Sequence, residues 1–190
     1  MCGIAGIVNL RGNPVEPAEI SRLTSLIAHR GPFGEGTWFN AKRNVAFGHR
    51  RLAIIDPGEG GYQPMVSGDG RHVIVYNGEI YNFLELRREL EAKGAVFRSQ
   101  SDTEVILAAW QAWGEDMLLR FNGMWALAIY DTATDELFLA RDRFGIKPML
   151  YALSSERFVF ASEQRALARS GLLETSLDID VARRLLLDPF

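Results

Sequence analysis

The chain opens Met1-Cys2-Gly3, and Cys2 is the single cysteine among 190 residues. A second residue this small is of the kind that lets a cell remove the initiator methionine, which would leave an α-amino group beside a thiol. An α-amine titrates at about pH 8, close to a free thiol, so at neutral pH it can accept the thiol's proton directly or through one water. Nucleophile and base then belong to one residue, and no separate His-Asp pair is needed. The plainer reading is that a lone cysteine is a small buried hydrophobe. Context argues against it: Cys2-Gly3-Ile4-Ala5-Gly6-Ile7 places glycines around an apolar strand start, where a substrate could approach the backbone.

A thiolate attacking an amide needs donors for the oxygen that becomes negative. Asn77-Gly78 lies within Tyr76-Asn77-Gly78-Glu79-Ile80-Tyr81-Asn82, where a strand passes into a helix. The Asn77 carboxamide and the Gly78 N–H suit that oxyanion. Asn-Gly is also a common turn dipeptide. In Gly48-His49-Arg50-Arg51-Leu52-Ala53-Ile54-Ile55-Asp56 an arginine precedes an apolar run. Arg51 can grip an α-carboxylate with its planar guanidinium, while Asp102 or Glu79 takes an α-ammonium, so that a free amino acid is recognised by both ends. An internal salt bridge among these side chains is the alternative.

Other motifs carry less. Arg141-Asp-Arg-Phe-Gly-Ile-Lys-Pro148 reads by itself as a charged surface turn. Gly31-Pro-Phe-Gly-Glu-Gly36 matches neither the Walker nor the dinucleotide spacing of a phosphate loop. His29, His49 and His72 have no ligand-like spacing, and one cysteine can form neither an intrachain disulfide nor a metal site of its own. No metal is expected.

The elements that must hold these groups follow from periodicity. Alternating apolar runs mark strands at Gly3 to Val8, Val45 to Phe47, Leu52 to Ile55, Val73 to Tyr76, Trp125 to Tyr130, Glu136 to Ala140, Met149 to Leu153 and Arg157 to Phe160. Polar turns at Asp131–Asp135 and Ser154–Glu156 pair four of them as hairpins. Helical spacing joins Ile20, Leu23 and Ile27, and also Phe83, Leu86 and Leu90, the latter stopped by Gly94. Ser101-Asp-Thr-Glu104 predicts a capping box ahead of a helix over Val105 to Trp113 that Gly114 closes. Gln164 to Arg169, stopped by Gly171, and a segment from Asp180 to Leu187 complete the helices. Adjacent hairpins with helices between groups predict an α+β layered domain.

With 47% hydrophobic and 24% charged residues and a net charge of −3, the profile is that of one ordinary globular domain. There is no basic stripe for nucleic acid or an anionic membrane surface, no apolar span, and no secretory leader. The expected compartment is cytoplasmic. The leucine-rich end, Arg183 to Phe190, has little chain left to pack against and reads as a cut.

Nine segments in order carry a resemblance: Met1-Cys-Gly-Ile-Ala-Gly6, His29-Arg-Gly-Pro32, Arg51-Leu-Ala-Ile-Ile-Asp56, Gln63-Pro-Met65, Tyr76-Asn-Gly-Glu-Ile-Tyr-Asn82, Ser101-Asp-Thr-Glu104, Gly123-Met124, Arg141-Asp-Arg-Phe-Gly-Ile-Lys-Pro148 and Phe160-Ala-Ser-Glu163. Together they resemble the class II glutamine amidotransferase (glutaminase) domain of glutamine-hydrolysing asparagine synthetases, members of the N-terminal-nucleophile hydrolases. The resemblance weakens after about Ala166.

It implies a four-layer α/β/β/α sandwich of mostly antiparallel sheets. Residues 1–170 would form the amidotransferase domain, with Met1 removed, and 171–190 would start the connection to a C-terminal synthetase domain. Cys2 would be the nucleophile, Asn77 and Gly78 the oxyanion hole, Arg51 the glutamine carboxylate ligand, and Glu79 and Asp102 the ammonium ligands. The implied function is hydrolysis of glutamine to glutamate and ammonia, the ammonia serving to make asparagine from aspartate. This domain needs no cofactor; ATP and magnesium belong to the missing half, and a homodimer stays open. The alternatives are the same glutaminase serving another carboxylate acceptor, in antibiotic, peptide or cell-surface sugar amidation, or a non-catalytic binding module. Two departures stand out: Phe33 replaces the family's usual aspartate, and the Ser-Gly-Gly-x-Asp-Ser phosphate loop of the synthetase half is absent.

Overall fold

The computed structural model describes residues 1–53, 55–56, 58–176 and 178–187, with the side chains of 185 and 186 outside that description. Two antiparallel sheets face each other. The first has the order β2 (Gly34–Phe39), β3 (Val45–Arg51), β1 (Gly3–Asn9), β9 (Arg157–Ala161), β8 (Leu150–Leu153). The second has the order β4 (Met65–Val66), β5 (His72–Ile80), β6 (Gly123–Asp131), β7 (Glu136–Arg141).

Period-two alternation assigns every strand residue to one of two faces. On β1, Ala5 and Ile7 point outward to a cluster with Ile20 and Leu23 of α1 (Pro17–Ser25), Ala166 and Leu167 of α5 (Gln164–Arg169), and Ile27. Ile4 points inward, meeting Phe47, Val73, Val75, Ala126, Ala128, Tyr130 and Phe160 between the sheets. On β5, Ile74, Tyr76 and Ile80 turn outward to Leu86 and Leu90 of α2 (Phe83–Ala92) and to Val105, Ile106 and Ala109 of α3 (Asp102–Trp113). Met117 of the short α4 (Met117–Arg120) closes that layer. The result is the four-layer α/β/β/α sandwich that the resemblance implies, and an α+β layered domain as the element pattern predicts. Each fully buried Leu, Ile or Val in these three clusters contributes about 1.5–3 kcal/mol of transfer free energy.

Local chemistry sets the element ends. Pro17 opens α1, and the Glu16 N–H donates to the Glu19 carboxylate at 3.0 Å. Gly94, Gly114 and Gly171, at φ 96°, 56° and 73°, end the helices they follow. α6 (Ile179–Leu187) begins slightly before the expected Asp180, because the Asp178 carboxylate accepts the Val181 N–H at 3.0 Å.

Three local expectations are corrected. Leu52–Ile55 is not a strand among its described residues: β3 runs on through Arg51 and stops there, because the Arg51 guanidinium folds the chain back by binding the carbonyls of Asp56 and Gly58 at 2.6 and 2.8 Å. β2 stands where no strand was expected, beginning inside the glycine stretch Gly31–Gly36. The capping box is half formed: Ser101 Oγ accepts the Thr103 N–H at 3.2 Å, but Glu104 reaches back to the N–H groups of Arg98 and Ser99, at 2.9 and 2.8 Å. Ser99 Oγ takes the Ser101 N–H instead, at 3.2 Å. The start of α3 is thereby tied to the loop before it, fixing Asp102 in place.

Candidate active site

The strand alternation that builds the inner core also gathers the chemistry. Cys2 continues the inward row of β1, two residues before Ile4; His49 and Arg51 continue that of β3 after Phe47; Asn77 and Glu79 continue that of β5 after Val75. All three rows exhaust their apolar residues at the same end of the sandwich, so polar groups collect where the inter-sheet core stops. Cys2, Arg51, Asn77, Gly78, Glu79 and Asp102, the six residues picked out from the sequence, line a single cavity of about 70 Å³. Met1, His49, Leu52, Gln63, Tyr76, Thr103 and Lys147 also face it.

Cys2 Sγ is half-buried and held by one residue: the Leu52 N–H donates to it at 3.3 Å, and its S–H reaches the Leu52 carbonyl at 3.5 Å. Burial pushes the thiol above its ordinary value, while the Leu52 bond, the terminal amine and Arg51 pull the other way. The terminal amine, here on Met1, is lowered chiefly by burial and also by Arg30 and Lys147. Arg30 ties the start of the chain down, its Nε donating to the Cys2 carbonyl at 3.0 Å and its other arm meeting Glu163 at 2.9 Å.

Asn77 is 1% exposed, and its side-chain NH₂ has no hydrogen-bond partner among the described residues. A buried, unpaired donor of this kind costs about 1–3 kcal/mol, so it signals a group waiting for a ligand. Beside it, Gly78 admits no side chain: a Cβ there would lie 2.3 Å from the Met124 carbonyl and 2.8 Å from Trp125 Cα. The dipeptide sits inside β5, paired Asn77 with Ala126 and Gly78 with Trp125, and is not a turn.

Arg51 is buried, stacked 4.4 Å over the Tyr62 ring, with one nitrogen taken by the Asp56 and Gly58 carbonyls. Gly61 permits the approach, since a Cβ there would meet the Arg51 guanidinium at 2.5 Å. Asp102, also buried, accepts the Tyr76 hydroxyl at 2.9 Å and the Ile80 N–H at 3.1 Å. Burial raises its carboxyl despite those bonds. Among the described residues no salt bridge joins Arg51 to Asp102 or Glu79, so these charges face the cavity without neutralising one another.

Sequence reasoning missed several cavity residues. His49 is fully buried and held neutral, its value driven down to about 3 by burial and by Arg51. Gln63 Oε1 accepts the Tyr76 N–H at 2.6 Å and its Nε2 donates to Thr103 Oγ1 at 3.3 Å, bracing β5 against α3. Lys147, read as part of a surface turn, is 5% exposed. Phe33 is 65% exposed and does not line the cavity, although its N–H donates to the Arg51 carbonyl at 3.1 Å. Among the described residues no three His, Cys, Asp or Glu side chains cluster as metal ligands.

Residues 1–188 match the family described as the glutamine amidotransferase domain. The chain belongs to that family. Over 171 residues this amidotransferase domain is 42% identical to asparagine synthetase [glutamine-hydrolyzing] 3 of Bacillus subtilis, covering 88% of the chain and 27% of that protein. It is 43% identical over 181 residues to a putative asparagine synthetase [glutamine-hydrolyzing] of Mycobacterium tuberculosis, covering 88% and 28%. The chain thus spans under a third of the length of these two relatives. Its fold matches that of glutamine phosphoribosylpyrophosphate amidotransferase from B. subtilis, with a TM-score of 0.76 at 24% identity, over 90% of this chain and 44% of that one. No helix among the described residues is long and apolar enough to cross a membrane.

Proposed function

We propose that this amidotransferase domain hydrolyses glutamine to glutamate and ammonia with Cys2 as nucleophile. The observation that carries the reading is the unpartnered, buried Asn77 NH₂ in the same cavity as the Cys2 sulfur. Removal of Met1 frees the Cys2 amine, which takes the thiol's proton as Sγ attacks the side-chain amide carbon of glutamine. The negative oxygen is met by Asn77 Nδ2 and the Gly78 N–H. The amine returns the proton to the departing nitrogen, ammonia leaves, and water hydrolyses the γ-glutamyl thioester to restore the thiol. Arg51 holds the glutamine carboxylate; Glu79 and Asp102 hold its ammonium.

The described cavity supports the processing step. At about 70 Å³ it is well below the roughly 300–1,000 Å³ of ordinary small-molecule sites, and Met1 forms part of its wall. Losing that residue enlarges the space where glutamine has to sit.

The ammonia serves a synthetase partner that forms asparagine from aspartate with ATP and magnesium; the identity to asparagine synthetases supports that choice of acceptor. The deciding experiment is ammonia and glutamate release from glutamine by the purified chain, with its intact mass recorded and Cys2→Ala as control. Release that disappears with Cys2→Ala is expected. Equal release by the variant would refute the cysteine mechanism.

A further inference from the structure

Lys147 is buried to 5% exposure on the cavity wall, and the acceptor within reach of its Nζ is the Met1 thioether at 3.1 Å. A thioether is a weak acceptor, and among the described residues no carboxylate forms an ion pair with this ammonium. Holding a buried cation in that condition is costly, and the cost marks a functional position more readily than a structural one.

The loop is built to keep it there. Asp142 accepts the N–H groups of Phe144, Ile146 and Lys147 at 3.1, 2.9 and 3.0 Å. Arg141 Nε donates to the Lys147 carbonyl at 2.6 Å. The backbone at Lys147 is therefore held at both its N–H and its carbonyl, and its side chain reaches the first residue of the chain.

Other charges around the amino terminus, Glu79 apart, are paired or hydrogen-bonded elsewhere. Arg30 is paired with Glu163. The Arg51 guanidinium is directed to the carbonyls of Asp56 and Gly58. His49 is neutral. Asp142 is occupied by its own loop, Asp102 by Tyr76 and Ile80, and Glu79 faces the same cavity. Arg30 and Arg51 also act on the start of the chain, but Lys147 is the cation of the three with neither a carboxylate nor a carbonyl partner among the described residues. Burial, then Arg30, lower its proton affinity, as expected for a charge held near another cation.

We propose that Lys147 is a positioning residue for the nucleophile: its ammonium repels the protonated form of the freed Cys2 amine and favours the thiolate, keeping the amine ready as base. The inference rests on the glutaminase reading for its purpose, but its test does not depend on turnover. The chain with Met1 removed, verified by mass, is alkylated with iodoacetamide across pH, alongside Lys147→Met and Lys147→Arg, and Cys2 modification is followed by mass spectrometry.

Without the cation the charged amine is less disfavoured and the thiolate less favoured, so both titrations move up. The alkylation inflection of Lys147→Met should lie about half to one pH unit above wild type, and Lys147→Arg should restore it. The acidic limb of kcat/KM for glutamine should move the same way. An unmoved inflection in Lys147→Met, or an equal displacement in Lys147→Arg, overturns the proposal. A displaced inflection in a chain that releases no ammonia would instead keep the electrostatic role and remove the glutaminase reading.

Discussion

The Leu52 N–H donates to the Cys2 sulfur at 3.3 Å, and Leu52 directly follows Arg51. One stretch of backbone therefore fixes the sulfur proposed as nucleophile and the guanidinium proposed to hold the substrate's carboxylate. Their separation is set where β1 and β3 pair, with Gly3 opposite Arg50. A substrate whose carboxylate and amide are spaced as in glutamine would be measured against a rigid ruler.

Asn77→Ala separates stability from activity. Because the unpaired Asn77 NH₂ costs about 1–3 kcal/mol in the folded protein, removing it should offset the packing lost with the side chain, leaving the unfolding free energy no more than about 1 kcal/mol below wild type. Loss of an oxyanion donor should lower kcat about 10²–10³-fold with little change in KM. Urea unfolding and steady-state kinetics on one preparation check both; a large stability loss with unchanged kcat would make Asn77 a structural residue.

Arg51→Ala should raise the glutamine KM about a hundredfold, equivalent to roughly 2.7 kcal/mol of lost ground-state binding. Arg51→Lys should not rescue it, since an ammonium can neither hold the Asp56 and Gly58 carbonyls together nor stack on Tyr62 as the guanidinium does. Full rescue by lysine would show that charge alone suffices.

Burial dominates the Cys2 environment and pushes its thiol up. In the chain that retains Met1, iodoacetamide labelling should therefore inflect above the ordinary thiol value of about 8.5. The sign for stability follows: an acid raised by folding favours the neutral form, so its contribution is present below the ordinary value and is lost as pH rises from there through the raised folded value. An inflection at or below neutrality would mean that the Leu52 bond and Arg51 outweigh burial.

Asp142 is the keystone of the loop bearing Lys147. Burial tends to raise its carboxyl, yet the N–H groups of Lys147, Ile146, Phe144 and Trp125 hold it below the usual range. Its contribution to stability is then present above about pH 4 and lost as pH falls through the lowered value. Asp142→Ala should cost about 2–4 kcal/mol at pH 7, with a difference from wild type that shrinks on acidification. A constant difference in urea midpoints down to the acid transition would contradict this.

The presence of β1 and of the first half of β5 was legible in the sequence from their apolar runs, but β5 continues past Tyr76 through Ile80, and that unread continuation is what carries Asn77 and Glu79 to the face that Cys2 shares. β2 was not legible, since Gly34-Glu-Gly-Thr-Trp-Phe39 has small residues where a pattern needs bulk. Gly36 is small for a reason only the fold reveals: a Cβ there would meet the Gln63 carbonyl at 2.1 Å. Leu52 to Ile55 misled in the opposite direction, as apolar residues look like strand whether or not an arginine bends the chain behind them. Lys147 was hidden among charges that read as solvent-exposed, because nothing local announces that Asp142 gathers the surrounding N–H groups and turns the loop inward.

The position of Met1 in the cavity wall has a practical bearing on maturation. On the proposed mechanism a chain that retains Met1 carries its own stopper, so glutaminase activity would begin only after a methionine aminopeptidase has trimmed it, and the onset of activity would report that trimming. An affinity tag fused to the amino terminus would make the stopper permanent, while the same tag at the other end leaves the thiol's partner amine free to emerge.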